Sequence, residues 1–449
     1  MPPSPGTGSA RSAAVRVATT GVLLGVLSLI AWHVVRKVTH LRLDTLTALY
    51  TIVISSYVLS RFVLAALYRP PRDAGLEPRC AVIVPAYNEG EAVARTIHAL
   101  MALDYPADKL EVVVVVVDDG SSDDTWQHMT AAACYPDPRP EARIRAQMAG
   151  AAPGDAPPSR VRCISLGSNQ GKRAAMAAGI RATSAGILVF VDSDSIPARD
   201  GVRKLVQGFA DPRVGAISGL TYVRNAGANL LTRMQAARYY VSFQLLKAAE
   251  STLGAVACCS GCFAAYRRSA VLVVLRRWED QRFLGVECTY GDDRALTNMV
   301  LRCGWTAIYD SRAEAWTDVP DRYRTFFRQQ LRWKKSWARE GPILLSHIWR
   351  TRARAFPSVL VNTVAGLLSP VIVGWNLIHP LSHHGALPIV YALGLYLVSM
   401  AYGLLYRALR RDGLWLYAFF GTFFYVAFSG QLLWAILRIR DGKWGTRGA

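Results

Sequence analysis

The chain has 449 residues, 52% of them hydrophobic, with a formal charge of +20. That length allows two domains. The basic residues flank apolar segments instead of forming one soluble stripe, which argues against a nucleic-acid partner.

Residues 17–35 and 46–67 are apolar runs of membrane-spanning length. The first is too long, and too soon followed by the second, to be a cleaved leader. Together they predict an N-terminal transmembrane hairpin over residues 1–71. Arg69, Arg72 and Arg79 follow it, and a second basic group runs from Arg322 to Arg354. The positive-inside pattern predicts that everything between lies in the cytosol.

From Cys80 the pattern alternates between strand and helix. Residues 81–85 read as a strand and residues 91–103 as a helix. Glu111 leads into six consecutive valines, Val112 to Val117, a β-branched run expected of a strand buried on both faces of a parallel sheet. Residues 136–160, rich in Pro, Ala, Gly and Arg, read as a surface insertion. Residues 161–166 are a strand, 172–183 a helix and 187–191 a strand, an α/β nucleotide-binding pattern. Acidic groups follow three of the strands: Tyr87-Asn88-Glu89, Asp118-Asp119-Gly120 and Asp192-Ser193-Asp194. In open α/β sheets ligands bind beyond the strands' carboxyl ends.

Asp192 and Asp194 would face opposite sides of a continuing strand, so they must lie in a turn to act together. In a turn they could hold Mg²⁺ or Mn²⁺, and such a cation typically bridges a diphosphate. Lys172, at a predicted helix start, adds a cation suited to the same anion. The absence of a Walker loop argues against a kinase or ATPase.

Cys258, Cys259 and Cys262 lack a partner pair at zinc-finger spacing and read as reduced, packed cysteines. Gly291-Asp292-Asp293-Arg294 opens a helix closed at Gly304, with Asp292 as its cap. Asp293 is then free to act as a base, kept ionised by the helix N-terminus. Gln329-Gln330-Leu331-Arg332-Trp333 lies in an aromatic and basic stretch, residues 321–356, that reads as amphipathic interface helices. Arg332 suits a diphosphate, and Trp333 offers a flat face to a sugar ring.

The C-terminal region, residues 357–438, carries apolar runs at 357–378, 387–405 and 414–437. Arg407, Arg410 and Arg411 favour the inside. A third simple span would leave the tail, residues 439–449, outside. A break at Ser429-Gly430 resolves the conflict, giving two arms at 414–428 and 431–437. The second arm is too short to span alone.

These motifs resemble the processive, membrane-embedded family 2 glycosyltransferases, which include cellulose, chitin and hyaluronan synthases. The resemblance implies a GT-A domain, α/β with a mostly parallel sheet, over residues 72–320, inserted between helical membrane segments of the plasma membrane. It implies that Tyr87, Glu89, Asp119, Lys172, Asp192, Asp194, Gln329 and Arg332 hold a UDP-sugar, that Asp194 and then Asp192 bind the metal, and that Asp293, with Asp292 and Arg332, carries out the transfer. "FLGVECTYGDDRALTN" and "TDVPDRYRTFFRQQLRWKKSWARE" are similar to hyaluronan synthases over long runs. That likeness implies UDP-GlcNAc and UDP-GlcA as donors, and a growing polysaccharide passed through the bilayer with no obligate protein partner. It also implies an acceptor site at Ser260, Gly261, Cys288 and Trp333, and a cytoplasmic gating tail in which Trp444, Thr446 and Arg447 close on the nucleotide. Cys262 stands where those synthases usually have proline, so a chitin-oligosaccharide or poly-N-acetylglucosamine synthase is the second reading. A nucleotide-sugar-binding export component without turnover would not need Asp194, Asp293, Arg332 and Trp333 together.

Overall fold

The computed structural model describes residues 19–32, 45–116, 121, 123–134, 161–382, 389–410 and 412–441. The predicted insertion at 136–160 lies outside them, as do Asp119, Trp444, Thr446 and Arg447.

Two helices, α1 (Thr19–Trp32) and α2 (Thr45–Leu67), come first. The catalytic region follows as β1 (Cys80–Ala86), α3 (Ala92–Met101), β2 (Leu110–Val116), α4 (Thr125–Ala133), β3 (Val161–Ile164), α5 (Gly171–Arg181), β4 (Ile187–Phe190), β5 (Ser195–Pro197), α6 (Gly201–Leu205) and β6 (Val214–Val223). Next come α7 (Leu230–Val241), a π-helical turn (Ser242–Lys247), α8 (Ala248–Thr252), β7 (Ala264–Arg267), α9 (Arg268–Glu279), the hairpin β8 (Arg282–Phe283) and β9 (Val286–Glu287), α10 (Asp292–Arg302) and β10 (Thr306–Thr317). A long helix, α11 (Tyr323–Thr351), leads to α12 (Phe356–Ser382), α13 (Ile389–Leu409), α14 (Trp415–Ala427) and α15 (Gln431–Leu437).

Eight strands form one sheet in the order β3-β2-β1-β4-β7-β6-β10-β5. The valine-rich β2 lies between β3 and β1 and is parallel to both. Alternation along the strands serves two cores. Val82, Val84, Val189 and Val191 pack with Ile97 and Leu100 on one face. Ile83, Leu188 and Phe190 pack with Tyr266 and Trp278 on the other. A two-sided core is what near-continuous apolar strands require.

The valine run's parallel pairing holds for β2, while the sheet as a whole is mixed. β7 is antiparallel to both β4 and β6, and β5 is antiparallel to β10. Because β7 runs backwards, its leading end sits at the carboxyl end of β4, with Ala264 opposite Phe190. The Cys258–Cys262 segment is thereby brought to the edge occupied by Asp192.

The membrane side and the sheet share contacts. Tyr68, just past α2, donates its hydroxyl to Tyr309 O at 2.9 Å and accepts from Ser311 N at 3.1 Å. Leu344, Ile348 and Val359, from α11 and α12, pack in the same core as Trp278 and Tyr309.

Among the described residues two helical stretches, Ala353–Trp375 and Ala392–Leu409, are long and apolar enough to cross a membrane, or three if the bent pair α14–α15 counts as one span. That pair breaks where the sequence predicts it, with Phe428 ending the first arm, Gly430 preceding the second and an angle of 47° between them.

Helix α10 begins differently from its expected form. Gly291, at φ +77°, is the N-cap, and Asp292 is the first helical residue. A Cβ at Gly291 would lie 2.1 Å from Ser336 Oγ of α11. Left-handed backbone and overpacking each cost about 1–2 kcal/mol or more. Gly291→Ala is therefore expected to lower the thermal unfolding temperature of the purified protein clearly, whereas Gly285→Ala, also at positive φ but with open space around it, should lower it less.

Candidate active site

The site lies at the carboxyl edge of β1 and β4. Beyond β4 the backbone turns, Ser195 N–H donating to Asp192 O at 2.9 Å. This is the turn that the Asp192–Asp194 pair needs. Lys172, the second residue of α5, forms an ion pair with the Asp192 carboxylate. Burial opposes the charge on Lys172, but Asp192, with Asp292 and Asp293 behind it, more than compensates, and the ammonium is held above its ordinary range. Asp194 accepts from Thr317 Oγ1 at 3.2 Å and Ser195 Oγ at 3.3 Å. Burial and then the charge of Asp192 push its carboxyl up to about 6, against the pull of Lys172 and Thr317. Ser193, between them, donates to Glu89 Oε1 at 2.6 Å, tying the β4 turn to the loop after β1. Tyr87 is half-buried in that same loop.

The backbone of Gly261 approaches this pair closely. A Cβ there would stand 3.3 Å from Asp192 Oδ1 and 3.5 Å from Lys172 Nζ. On its other side, Gly261 N–H points to Asp293 Oδ2 at 3.4 Å, and Cys258 Sγ lies 3.4 Å from the same oxygen. One bare glycine therefore separates the strand-end carboxylates from Asp293. Asp293 itself caps Arg294 N–H through Oδ1 at 2.8 Å, so one carboxylate oxygen is held by its helix and the other faces the loop. Ser260 adjoins Gly261 and hydrogen-bonds Cys262, whose thiol is pushed far up by burial and the two aspartates.

Arg332, from α11, lies among Asp292, Asp192 and Asp293. Burial lowers its basicity, and those carboxylates support its charge. Gln329 has its Oε1 buried without a hydrogen-bond partner. Trp333 is 41% exposed and its ring centroid is 6.3 Å from that of Tyr239.

Asp292 and Cys288 make further contacts of their own. The Asp292 carboxylate is buried against Arg173 Nε at 2.9 Å, with both side chains 7% exposed. It ties α10 to α5, and its charge also acts on Lys172 and Arg332. Cys288 is buried next to the β8–β9 hairpin, its N–H on Gln281 O at 3.0 Å. Burial raises its thiol, and its charged neighbours are Arg339, Arg173, Glu340 and Asp292.

Three residues went unforeseen. Tyr239 meets Trp333 by ring contact and has Cys262, Asp194 and Asp192 as electrostatic neighbours. Lys247 donates to Cys258 O, and to Ser218 Oγ at 3.1 Å, thereby supporting the loop that carries Gly261. It sits on the π-helical turn, a distortion common at functional sites. Arg173 was hidden within Gly-Lys-Arg, where only Lys172 was expected to matter. Among the described residues no cluster of three or more metal-ligating side chains occurs.

Residues 78–336 match the family model "Glycosyltransferase like family 2". The chain is 33% identical over 307 residues to an N-acetylglucosaminyltransferase of Azorhizobium caulinodans, covering 67% of this chain and 71% of that one. It is 28% identical over 401 residues to a hyaluronan synthase of Streptococcus pyogenes, covering 89% and 90%. The fold is similar to that of a mannosyltransferase from Pyrobaculum calidifontis solved in complex with GDP-Man and Mn²⁺, with a TM-score of 0.57, 21% identity, and coverage of 96% of this chain and 99% of that one. The mixed sheet with acidic turns at its carboxyl edge is a GT-A domain, followed here by membrane helices. The chain belongs to the family 2 glycosyltransferases and is a sugar-nucleotide-dependent transferase.

Proposed function

We propose that the protein is a processive, inverting glycosyltransferase that joins UDP-GlcNAc and UDP-GlcA into hyaluronan and passes the chain across the membrane. One observation carries the chemistry: Gly261 lies between the Lys172–Asp192 pair and Asp293 Oδ2, the carboxylate oxygen that faces the loop. A donor lying over the strand ends and an acceptor hydroxyl beside Asp293 would be neighbours across that glycine. Asp293 takes the hydroxyl proton as the oxygen attacks the anomeric carbon. The bond to the diphosphate breaks on the opposite face, which inverts an α-linked donor to a β-linkage. Arg332 receives charge on the departing phosphate, and Trp333 supports the acceptor sugar. The similarity to a hyaluronan synthase along nine-tenths of both chains supports the polymer.

The residues fit a divalent cation. Asp194 is buried close to the charge of Asp192, and a buried carboxyl pushed up to about 6 is one that a cation would relieve. Mg²⁺ or Mn²⁺ typically takes one or two protein carboxylates and completes its shell with phosphate oxygens. When bound, it would supply charge neutralisation to the leaving diphosphate. The mannosyltransferase of similar fold holds Mn²⁺. UDP-sugars are cytosolic, so the catalytic domain and the tail beyond Asp441 would face the cytoplasm, with the membrane helices forming a multi-pass anchor.

A second reading is a polymer of N-acetylglucosamine alone. It is favoured by the N-acetylglucosaminyltransferase similarity and by Cys262 in the loop beside Asp192. Incubating the purified protein with UDP-GlcNAc, with and without UDP-GlcA, separates the two. We expect a product that requires both donors and is cut by hyaluronidase. A chitinase-sensitive product from UDP-GlcNAc alone would overturn the first reading in favour of the second.

A further inference from the structure

Helix α11 presents two opposite faces to two different neighbours. Gln329, Arg332 and Trp333, at spacings of three and four, share one side. Phe327 and Lys334, seven apart, share the other. The first face meets the reacting groups. The second meets the break between α14 and α15.

That second contact is made in both directions. Lys334 Nζ donates to Phe428 O at the end of α14, a carbonyl that also accepts Gln431 N–H at 3.1 Å. Gln431 Nε2, at the start of α15, donates back to Phe327 O at 2.9 Å. The Phe327 and Phe428 rings are 4.7 Å apart, and buried Phe326 packs against Phe424 and Tyr425. The next residue, Lys335, donates to Asp441 O at 3.0 Å, just beyond α15. A helix break in an apolar setting leaves backbone carbonyls that must find donors. Here Gln431 N–H reaches Phe428 O, and the residue immediately after Trp333 supplies a second, charged donor. Burial, with the charge of Arg238, lowers the Lys334 ammonium to about 8, the mark of a group drawn out of water to meet this carbonyl.

We propose that Lys334 and Gln431 are positioning residues, through which the broken α14–α15 pair sets where α11 holds Arg332 and Trp333. This rests on reading Arg332 and Trp333 as parts of the transfer site. The break is then more than a way of returning the chain. It is a fixed support for the catalytic helix, built from the membrane-embedded part of the same chain. Displacement of a catalytic group by about 1 Å can cost on the order of a hundredfold in rate, so a lost support should appear in turnover before it appears in stability.

The test uses the full-length protein, purified in detergent, and reads UDP release from UDP-GlcNAc and UDP-GlcA. Lys334→Met and Gln431→Leu are expected to lower kcat by roughly tenfold to a hundredfold, with donor KM changed little. Lys334→Arg should restore most of the rate. In a Trp333→Ala background, Lys334→Met should cost far less than it does alone, because both act through one unit. Hydrogen exchange at the amides of residues 329–333 should speed up in Lys334→Met while the sheet amides stay unchanged. Full additivity with Trp333→Ala, or unchanged exchange at 329–333, would overturn the proposal. A wild-type enzyme that releases UDP but makes no polymer would count against the polymerase reading and leave this one standing. If neither donor supports release, the exchange measurement still decides it.

Discussion

Asp293→Asn is expected to cut sugar transfer by about a thousandfold while leaving UDP affinity nearly unchanged. General-base assistance contributes on the order of 10²–10⁴ in rate. The carboxamide keeps the size of the side chain, and its oxygen can still accept from Arg294 N–H, so α10 should start as before. What is lost is an oxygen able to take a proton beside Gly261. The nucleotide side of the site, Lys172 with Asp192 and Asp194, is separated from Asp293 by that glycine. Calorimetric titration of UDP against wild type and variant checks the second half of the expectation. An equal loss of UDP binding and transfer would move Asp293 into the nucleotide site.

Arg173→Met is expected to destabilise the protein by about 3–5 kcal/mol, the cost of leaving a buried charge without its partner. Arg173 donates to Asp292 Oδ1 at 2.9 Å, to Trp278 O at 2.8 Å and to Gln281 Oε1 at 3.2 Å, and its guanidinium lies over the Trp278 ring. Removing it strands Asp292, whose side chain is 7% exposed. Adding Asp292→Leu should recover much of the loss, since replacing both members of a buried pair by apolar groups is often near neutral. Thermal unfolding of the three variants measures this. The pattern would also separate the two neighbouring aspartates, with Asp292 governing stability and Asp293 governing rate. A double variant no more stable than Arg173→Met alone would refute the pairing argument.

The strands were legible because a two-sided core demands apolar runs. Residues 81–85, 112–117 and 187–191 each announced one, and the acidic groups after the first and last of them marked the edge where Glu89, Asp192 and Asp194 gather. The break at 429–430 was legible from two small residues inside an apolar stretch combined with the parity of the spans. What stayed hidden depends on contacts distant in sequence. β7 is four residues, Ala-Ala-Tyr-Arg, with no alternation to mark it, and its reversed direction is imposed by β4 and β6. Without it, the Cys258–Cys262 segment read as packed cysteines with no assigned place near Asp192. Asp292 resembled an N-cap because the cap position was occupied by a glycine, and its partner Arg173 is 119 residues away. No local pattern can report such a pair.

The hydroxyl of Tyr68, lodged between Tyr309 O and Ser311 N, bears on how this molecule can be handled and how it can evolve. Enzymes tethered to a bilayer by a loose leash can be trimmed to their soluble half. Here a residue just past α2 completes the hydrogen bonding of a sheet strand, and residues of α11 and α12 pack in the same core as Trp278. Excising residues 72–320 would orphan backbone groups on one side and open the interior on the other. A lineage that exchanged its membrane helices for another set would have to rebuild the floor of its own active domain at the same time.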